Sequence, residues 1–309
     1  FLTEGYQKLL GYEVSGGGFS LYGYAPADLS LTALGLALLT DMATVRYVDP
    51  RLIARTRRHL LRRLGRSGSW KPSGYLDLGG GDPLTRRYVV TAYITWRLAA
   101  SGERGRRLEP ALDFLRTHLY LVRDDAYAVA LAANAVLASK RPRYRPLGHR
   151  LLQRLIALRS RSRKGHTCWR PARGSRTVFS GSGEAAAQET TALALMALAR
   201  GKVGGAHLLP ATTYLLQSRD TDGAWATTRA TVLALQALLS LKSLRTGQRP
   251  RQVQVLLDGK PRGTIKLPGG GDVAVHTLDL SAGLTAGRHR VQLVPLGKGT
   301  VLYRIGLRY

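Results

Sequence analysis

The stretch DGAWATTRATVLALQALLSL, residues 222–241, contains the two features that decide the fold. A short turn ends in the aromatic residue Trp225, and an apolar segment from Ala226 to Leu241 follows it directly. Ala and Leu dominate that segment, so it favours a helix that is apolar over most of its surface. Such a helix must be buried on nearly all sides, which predicts a position inside a larger helical assembly.

The turn that ends in an aromatic residue recurs along the chain. The four copies are GGGF at 16–19, GSW at 68–70, TCW at 167–169 and DGAW at 222–225. Phe19 and Trp70 are 51 positions apart, Trp169 and Trp225 are 56 apart, and Trp70 and Trp169 are 99 apart, close to twice that step. With a degenerate copy around 121–125, this period indicates tandem structural repeats. We predict that the four aromatics pack between neighbouring hairpins.

Apolar helices alternate with amphipathic ones up to about Arg245. The predicted apolar helices are 29–45, 87–100, 125–139, 185–199 and 226–241. The predicted amphipathic helices, rich in arginine, are 50–64, 106–119, 147–158 and 208–217. The alternation predicts an inner layer of apolar helices and an outer layer of amphipathic ones.

Helical hairpins that curve and close form an α/α toroid, and this is the architecture we predict for residues 1–246. Five inner helices are visible, so a ring of six would need one more hairpin before Phe1, with residues 1–11 as the remnant of its outer helix. We expect Arg57, Arg58 and Arg62 to face outward from the ring.

The hydrophobic period changes at Gly247. Residues 252–257 and 263–267 alternate around an Asp258-Gly259 turn, which predicts a β-hairpin. Further short strands are predicted at 273–280, 288–294 and 300–309. Five short strands would leave exposed sheet edges, so we assign residues 247–309 to half of a β-sandwich. The predicted fold class is therefore mainly α, with a small all-β part at the end.

The formal net charge of +28 would suit a polyanion such as nucleic acid or an anionic envelope surface. However, the charge is spread from Arg46 to Arg308, and no basic cluster carries the interleaved aromatics that stack bases. We interpret the arginines as solvated outer faces and expect no specific nucleic-acid partner. The sequence contains no apolar run of membrane-spanning length.

The residue pattern predicts no catalytic, cofactor or metal site. Asp124-Asp125 resembles the paired acids of toroidal cyclases, but two acids before a helix commonly cap it. Residues 214–225 resemble the Gln-Trp repeat of triterpene cyclases, which is structural even there. The histidines lack zinc-binding spacing. Cys168, the only cysteine, is expected to be half-buried beside Trp169.

Short motifs in a fixed order resemble the thioester-containing region of the alpha-2-macroglobulin and complement family, most closely its bacterial members. They are GYQKLL at 5–10, GGFSLYG at 17–23, LTALGL at 31–36, VDP at 48–50, TAYIT at 91–95, DGAW at 222–225 and ATVLALQAL at 230–238. Residues 303–309 are similar to the end of the family's CUB-like β segment. The resemblance covers essentially the whole chain.

The resemblance implies a protease trap, in which a buried thioester captures the protease after bait cleavage. The family's Cys-Gly-Glu-Gln motif does not occur in this sequence, and the family places it upstream of the stretch at 5–10. Some members carry a His, in the loop after the second repeat, that directs acyl transfer toward hydroxyls. The matching loop contains Tyr75, Leu76 and Asp77 and no His. We take these three as candidate thioester-facing residues.

We therefore predict a scaffold and shield, not an enzyme, within an alpha-2-macroglobulin-like endopeptidase inhibitor. The resemblance implies target proteases and the remaining macroglobulin domains as partners, no cofactor, and a place in the periplasm, the cell envelope or the medium. Two alternatives stay open: a toroidal cyclase or transferase with its catalytic motif outside this chain, and a basic polyanion-binding scaffold. A central cavity lined with acids would favour the enzyme, and a ring filled by Ala and Leu would favour the inhibitor.

The half-sandwich interpretation predicts that residues 247–309 do not fold alone. Their strand edges would lack partners, so the expressed segment should melt without a cooperative transition or should associate. Circular dichroism melting combined with analytical ultracentrifugation checks this. A sharp transition from a monomer would contradict the interpretation.

Overall fold

The computed structural model describes residues 2–72, 82–203, 207–242, 252–267, 278–281 and 284–297. The chain divides into two compact units, Phe1–Leu244 and Arg245–Tyr309. Within its described residues, the first unit contains ten α-helices. They are α1 (Leu2–Leu10), α2 (Leu29–Met42), α3 (Pro50–Arg62), α4 (Pro83–Ala100), α5 (Glu109–Thr117), α6 (Ala126–Ser139), α7 (Arg145–Ala157), α8 (Gly183–Arg200), α9 (Leu208–Gln217) and α10 (Thr228–Lys242).

The even-numbered helices form the inner layer of a ring. They pack side by side in chain order, α2 on α4, α4 on α6, α6 on α8 and α8 on α10. Gln236 Nε2 of α10 donates to Asp41 Oδ2 of α2 at 2.8 Å, so the last inner helix returns to the first. Helices α3, α5, α7 and α9 pack on the inner helices α2, α4, α6 and α8 respectively. The unit is therefore an α/α toroid of two layers, which confirms the prediction.

Side-chain burial separates the two layers as their composition requires. In α6 every residue except Leu137 is buried. In α3 only four residues are buried, while Arg58 and Arg62 are exposed. Arg57 is half-buried and donates to Ser101 Oγ and to the Ser101 carbonyl, beyond the end of α4. These arginines lie on the outer layer, as expected.

Each turn aromatic joins its turn to an inner helix through the same hydrogen bond. The backbone N–H of the aromatic donates to a threonine Oγ1 in all four copies. The pairs are Phe19 to Thr32 (2.9 Å), Trp70 to Thr91 (3.2 Å), Trp169 to Thr191 (3.0 Å) and Trp225 to Thr231 (3.1 Å). The aromatic side chains are buried.

The three turn tryptophans, Trp70, Trp169 and Trp225, also tie the outer layer to the turns. Each indole Nε1 donates to a carbonyl near the end of the preceding outer helix: Leu60 in α3, Leu155 in α7 and Leu215 in α9, at 2.8, 2.6 and 2.9 Å. Phe19 has no such donor. Its ring instead lies against Gly35 of α2, so closely that a Cβ there would stand 2.8 Å from the ring.

Two small antiparallel ladders shape the turns around Phe19 and Trp169. They pair β1 (Glu13–Val14) with β2 (Gly18–Phe19), and β3 (Ser160–Arg161) with β4 (Thr167–Cys168). Cys168 is fully buried, not half-buried as expected, and its Sγ lies 3.5 Å from Ser160 Oγ. The ladder buries the thiol because Cys168 pairs with Ser160 directly beside Trp169.

The second unit contains a three-stranded antiparallel sheet in the order β6-β5-β7. Its strands are β5 (Gln252–Leu257), β6 (Lys260–Lys266) and β7 (Val291–Leu296). Val253, Val255 and Leu257 occupy the buried face of β5. Asp258 and Gly259 both have positive φ, as a two-residue hairpin turn requires. The predicted hairpin is confirmed.

The third strand begins later than predicted. The strand predicted at 288–294 starts at Val291 because hydrogen bonds to the Asp258 side chain fix the two preceding residues outside the sheet. The Asp258 carboxylate bonds His289 Nδ1 and accepts from the Arg290 backbone N–H, each at 2.7 Å. Residues 278–280 do not form a strand. The predicted strands at 273–277 and 300–309 lie outside the described residues.

The recurring bond to threonine predicts a specific loss of stability. Replacing Thr191→Val removes the oxygen that accepts the buried Trp169 N–H, so the free energy of unfolding should fall by about 1–3 kcal/mol. Urea denaturation followed by tryptophan fluorescence measures it. Thr213→Val, on the outer helix α9, is the matched control and should change stability far less. Equal losses in both variants would show that the turn bond contributes nothing specific.

Candidate functional site at the ring interior

Aspartates begin three of the five inner helices at the turn end of the ring. Asp28, Asp82 and Asp125 cap α2, α4 and α6 through their side chains. Asp125 Oδ1 accepts from the backbone N–H of Tyr127 at 2.9 Å and of Ala172 at 3.3 Å. Burial raises the pKa of the Asp125 carboxyl.

The neighbouring acid, Asp124, is exposed and does not cap the helix. It pairs with Arg154 and, at 3.4 Å, with Arg123. Asp125 thus caps α6, as the sequence favoured, whereas Asp124 forms surface ion pairs and does not cap the helix, and the two carboxylates do not face a common site.

The candidate thioester-facing residues Tyr75, Leu76 and Asp77 lie outside the described residues. The described chain stops at Pro72, two residues after the buried Trp70, and resumes at Asp82, which caps α4. The role of the three residues remains a prediction.

Polar side chains from three inner helices meet inside the ring. Arg229 of α10 donates from Nη2 to Tyr93 Oη of α4 at 3.3 Å, and its guanidinium lies 4.8 Å from the centre of the Phe179 ring. Because α4 and α10 are not neighbours in the order of packing, this contact must cross the ring interior. Glu189 of α8 lies close enough for Arg229 to favour its charged form.

One turn further along α4, Arg97 is almost fully enclosed. It is 5% exposed, and its guanidinium stacks on the Trp96 ring at 3.7 Å from the ring centre. Burial lowers the pKa of Arg97 to about 10. Burial also raises the pKa of Glu189, which is 1% exposed. Arg97 Nε, Arg229 Nε and Glu189 Oε2 have no hydrogen-bond partner in the described structure.

The interior therefore matches neither expectation drawn from the sequence. It is not a cavity lined with acids, and at this level it is not filled by Ala and Leu alone. Aromatic rings packed edge to face, Tyr93 against Trp96 and Phe179, occupy it together with the guanidinium groups of Arg97 and Arg229, and Glu189 is a buried acid. Arginine is charged at all ordinary pH and is a poor proton donor or acceptor. The arrangement suits electrostatic and stacking stabilisation of the ring more than acid–base catalysis.

Sequence reasoning missed this cluster, although a signal was present. Arg97 is the only charged residue between Tyr88 and Ala100, and Arg229 is the only one between Ala226 and Leu241. A buried charge is costly unless it is compensated, so each isolated arginine indicated a partner across the ring. The identity of that partner depends on contacts between distant repeats. Among the described residues, no group of His, Cys, Asp and Glu could hold a metal ion.

These features define the class of protein: a closed α/α toroid whose turns are fixed by aromatic anchors and whose interior is packed. The family model described as the A-macroglobulin TED domain matches residues 1–240. The chain belongs to the alpha-2-macroglobulin and complement thioester-domain family, which confirms the resemblance seen in its motifs. No curated protein matches the chain. None of the described helices is both long enough and apolar enough to span a membrane.

The buried carboxyl of Glu189 predicts a dependence of stability on pH. Its pKa in the native state lies above the value of about 4.3 in the unfolded chain. Between these two values the native state binds more protons, so this residue makes the protein less stable as pH rises. Glu189→Gln cannot titrate, so its Tm relative to the wild type should be higher at pH 8 than at pH 5.

Differential scanning fluorimetry between pH 5 and pH 8 measures that difference. Glu4→Gln makes the same chemical change on the exposed surface of α1. The difference in Tm between this variant and the wild type should not change with pH. A difference for Glu189→Gln that does not vary with pH would show that the carboxyl is not desolvated in the native protein.

Proposed function

We propose that this chain is the helical scaffold and shield of an alpha-2-macroglobulin-like endopeptidase inhibitor and is not itself an enzyme. The packed ring interior is the observation that supports this most strongly. A toroidal enzyme that bound its substrate at the centre of the ring would need open space where Arg97, Arg229 and the Phe179 ring are packed here. The toroidal cyclase or transferase alternative is accordingly not favoured.

The boundaries proposed from the sequence fit this role. We take residues 1–246 as the thioester-domain toroid and residues 247–309 as the last part of a CUB-like β domain. In the described structure α10 has no outer helix packed behind it, and Leu235 and Leu239 on α10 are 50% and 69% exposed. Because the bond between Gln236 and Asp41 already joins α10 to α2, their exposure supports an outer helix of the parent chain packed on α10, not a sixth inner helix.

The remaining proposals follow from the family. Its members act as parts of larger chains, so the other macroglobulin domains would be the immediate partners and the trapped proteases the ultimate ones. A place outside the cytoplasm follows from the same membership. The bacterial origin proposed from the motifs rests on their closer likeness to bacterial members.

The chemistry of capture would depend on groups outside the toroid described. Cys168, the only cysteine, is fully buried and contacts Ser160, so it is not placed to form an acyl bond. The candidate loop contains Asp77 and no His. Without an imidazole to act as base or nucleophile, water and alcohols remain poor acceptors, and amines are favoured.

The first consequence is that the chain alone should incorporate no labelled methylamine. Scintillation counting of the chain after gel filtration measures this, with a thioester-containing macroglobulin as the positive control. Stoichiometric labelling would mean that Cys168 or another group is acylated, and would contradict the proposed scaffold role.

The second consequence concerns a parent chain that carries the thioester. Offered labelled glycerol and methylamine together after protease activation, it should incorporate mainly methylamine. Asp77→His in the same parent should shift the ratio toward glycerol, and Glu4→His, on the exposed surface of α1, is the control. A wild type that prefers glycerol would show that another residue supplies the base.

A further inference from the structure

A basic cleft lies on the outer surface, between the end of α5 with the residues that follow it and helix α7. Its larger part has a volume of about 610 Å³ and is lined by Arg116, Arg123, Arg150 and Arg154 around Tyr120. A second depression of about 570 Å³ shares Arg150 and continues along α7 past Arg145. We call the two together the α5–α7 cleft.

The charge of the α5–α7 cleft is poorly compensated. Five arginines line it against one carboxylate, that of Asp124, which already pairs with Arg154 and Arg123. Arg116 bonds Asp113 at 3.2 Å. Arg145 and Arg150 form no ion pair with any described residue.

The floor and rim of the cleft are not purely charged. Tyr120 is 65% exposed, and its ring stacks beside His118, which in turn stacks on Phe114 at 4.2 Å. Leu119 is half-buried in the same wall. This stack holds an aromatic ring among the guanidinium groups, so the cleft offers apolar contact as well as charge.

These features select among anionic ligands. A guanidinium fork matches a carboxylate or phosphate with two parallel bonds. Single-stranded nucleic acid would need successive aromatic platforms, and the cleft has only Tyr120. The cleft is a shallow depression, and an acidic peptide with an apolar side chain matches both its charge and its mixed lining.

We propose that the α5–α7 cleft binds an acidic segment of a partner polypeptide. Carboxylates of the partner pair with Arg116, Arg145 and Arg150, and one apolar or aromatic side chain of the partner packs on Tyr120. The occupant is not a segment of this chain, because Asp124-Asp125 is the only place in the sequence where two acidic residues are consecutive. The proposal is independent of the protease-inhibitor role, since it concerns the outer layer of the ring.

The test uses the full chain and a fluorescein-labelled peptide rich in glutamate with one phenylalanine. Fluorescence anisotropy should show saturable binding at physiological salt. The double variant Arg116→Glu, Arg150→Glu should weaken it about tenfold or more, since two favourable pairs become repulsive. The matched control Arg58→Glu, Arg62→Glu makes the same charge change on α3 and should weaken it about twofold at most.

Further variants test whether the double variant is folded and whether Tyr120 contacts the peptide. Unchanged circular dichroism melting establishes that each variant is folded, and Arg150→Gln replaces the double variant if that one is not. Tyr120→Ala should weaken binding of the phenylalanine peptide but not of an all-glutamate peptide, whereas Tyr47→Ala, also exposed, should affect neither.

Two results would overturn the proposal. Equal weakening by the cleft and control variants would show that diffuse charge binds the peptide. Tighter binding of oligothymidylate, polyphosphate or phosphatidylserine vesicles, with the same dependence on Arg150, would assign the cleft to another class of ligand.

Discussion

The hydrogen bond from a turn aromatic to an inner-helix threonine is the contact on which the ring depends. A helix that is apolar on all sides can slide or rotate against its neighbours without much change in buried area. Fixing the backbone of Trp169 to Thr191, and its indole to Leu155, joins turn, inner helix and outer helix at one residue. The bond to threonine recurs at four of the five inner helices, α2, α4, α8 and α10, and fixes the position of each on its turn.

Much of this architecture is encoded locally, which is why the sequence predicted it. Helix α6 is so apolar that only an interior position is possible, and α3 carries its arginines on one side. The threonine junction was harder to see. Thr32, Thr91, Thr191 and Thr231 follow their aromatics by different distances in sequence, because the loop between turn and helix varies in length. The spatial repeat is regular although the sequence repeat is not.

The features that the sequence did not predict are those formed between distant segments. Arg97 and Arg229 come from the second and the fifth inner helices, and only ring closure brings them to the same interior. The α5–α7 cleft arises in the same way, from residues of two outer elements whose separate charge patterns are ordinary. Hydrophobic periodicity reports which side of a helix is buried, but not which charged groups meet once the helices are in place.

The bond between Gln236 and Asp41 gives the ring a seam. Neighbouring inner helices elsewhere are joined by continuous chain, but α2 and α10 meet only through space, and this bond between them is exposed to water. A circular array of repeats is as strong as its weakest junction. Under tension the toroid would therefore open between α2 and α10, and the first and last hairpins would separate while the three between them remain packed together. Mechanical force applied through the ends of the chain would be felt first at this one junction.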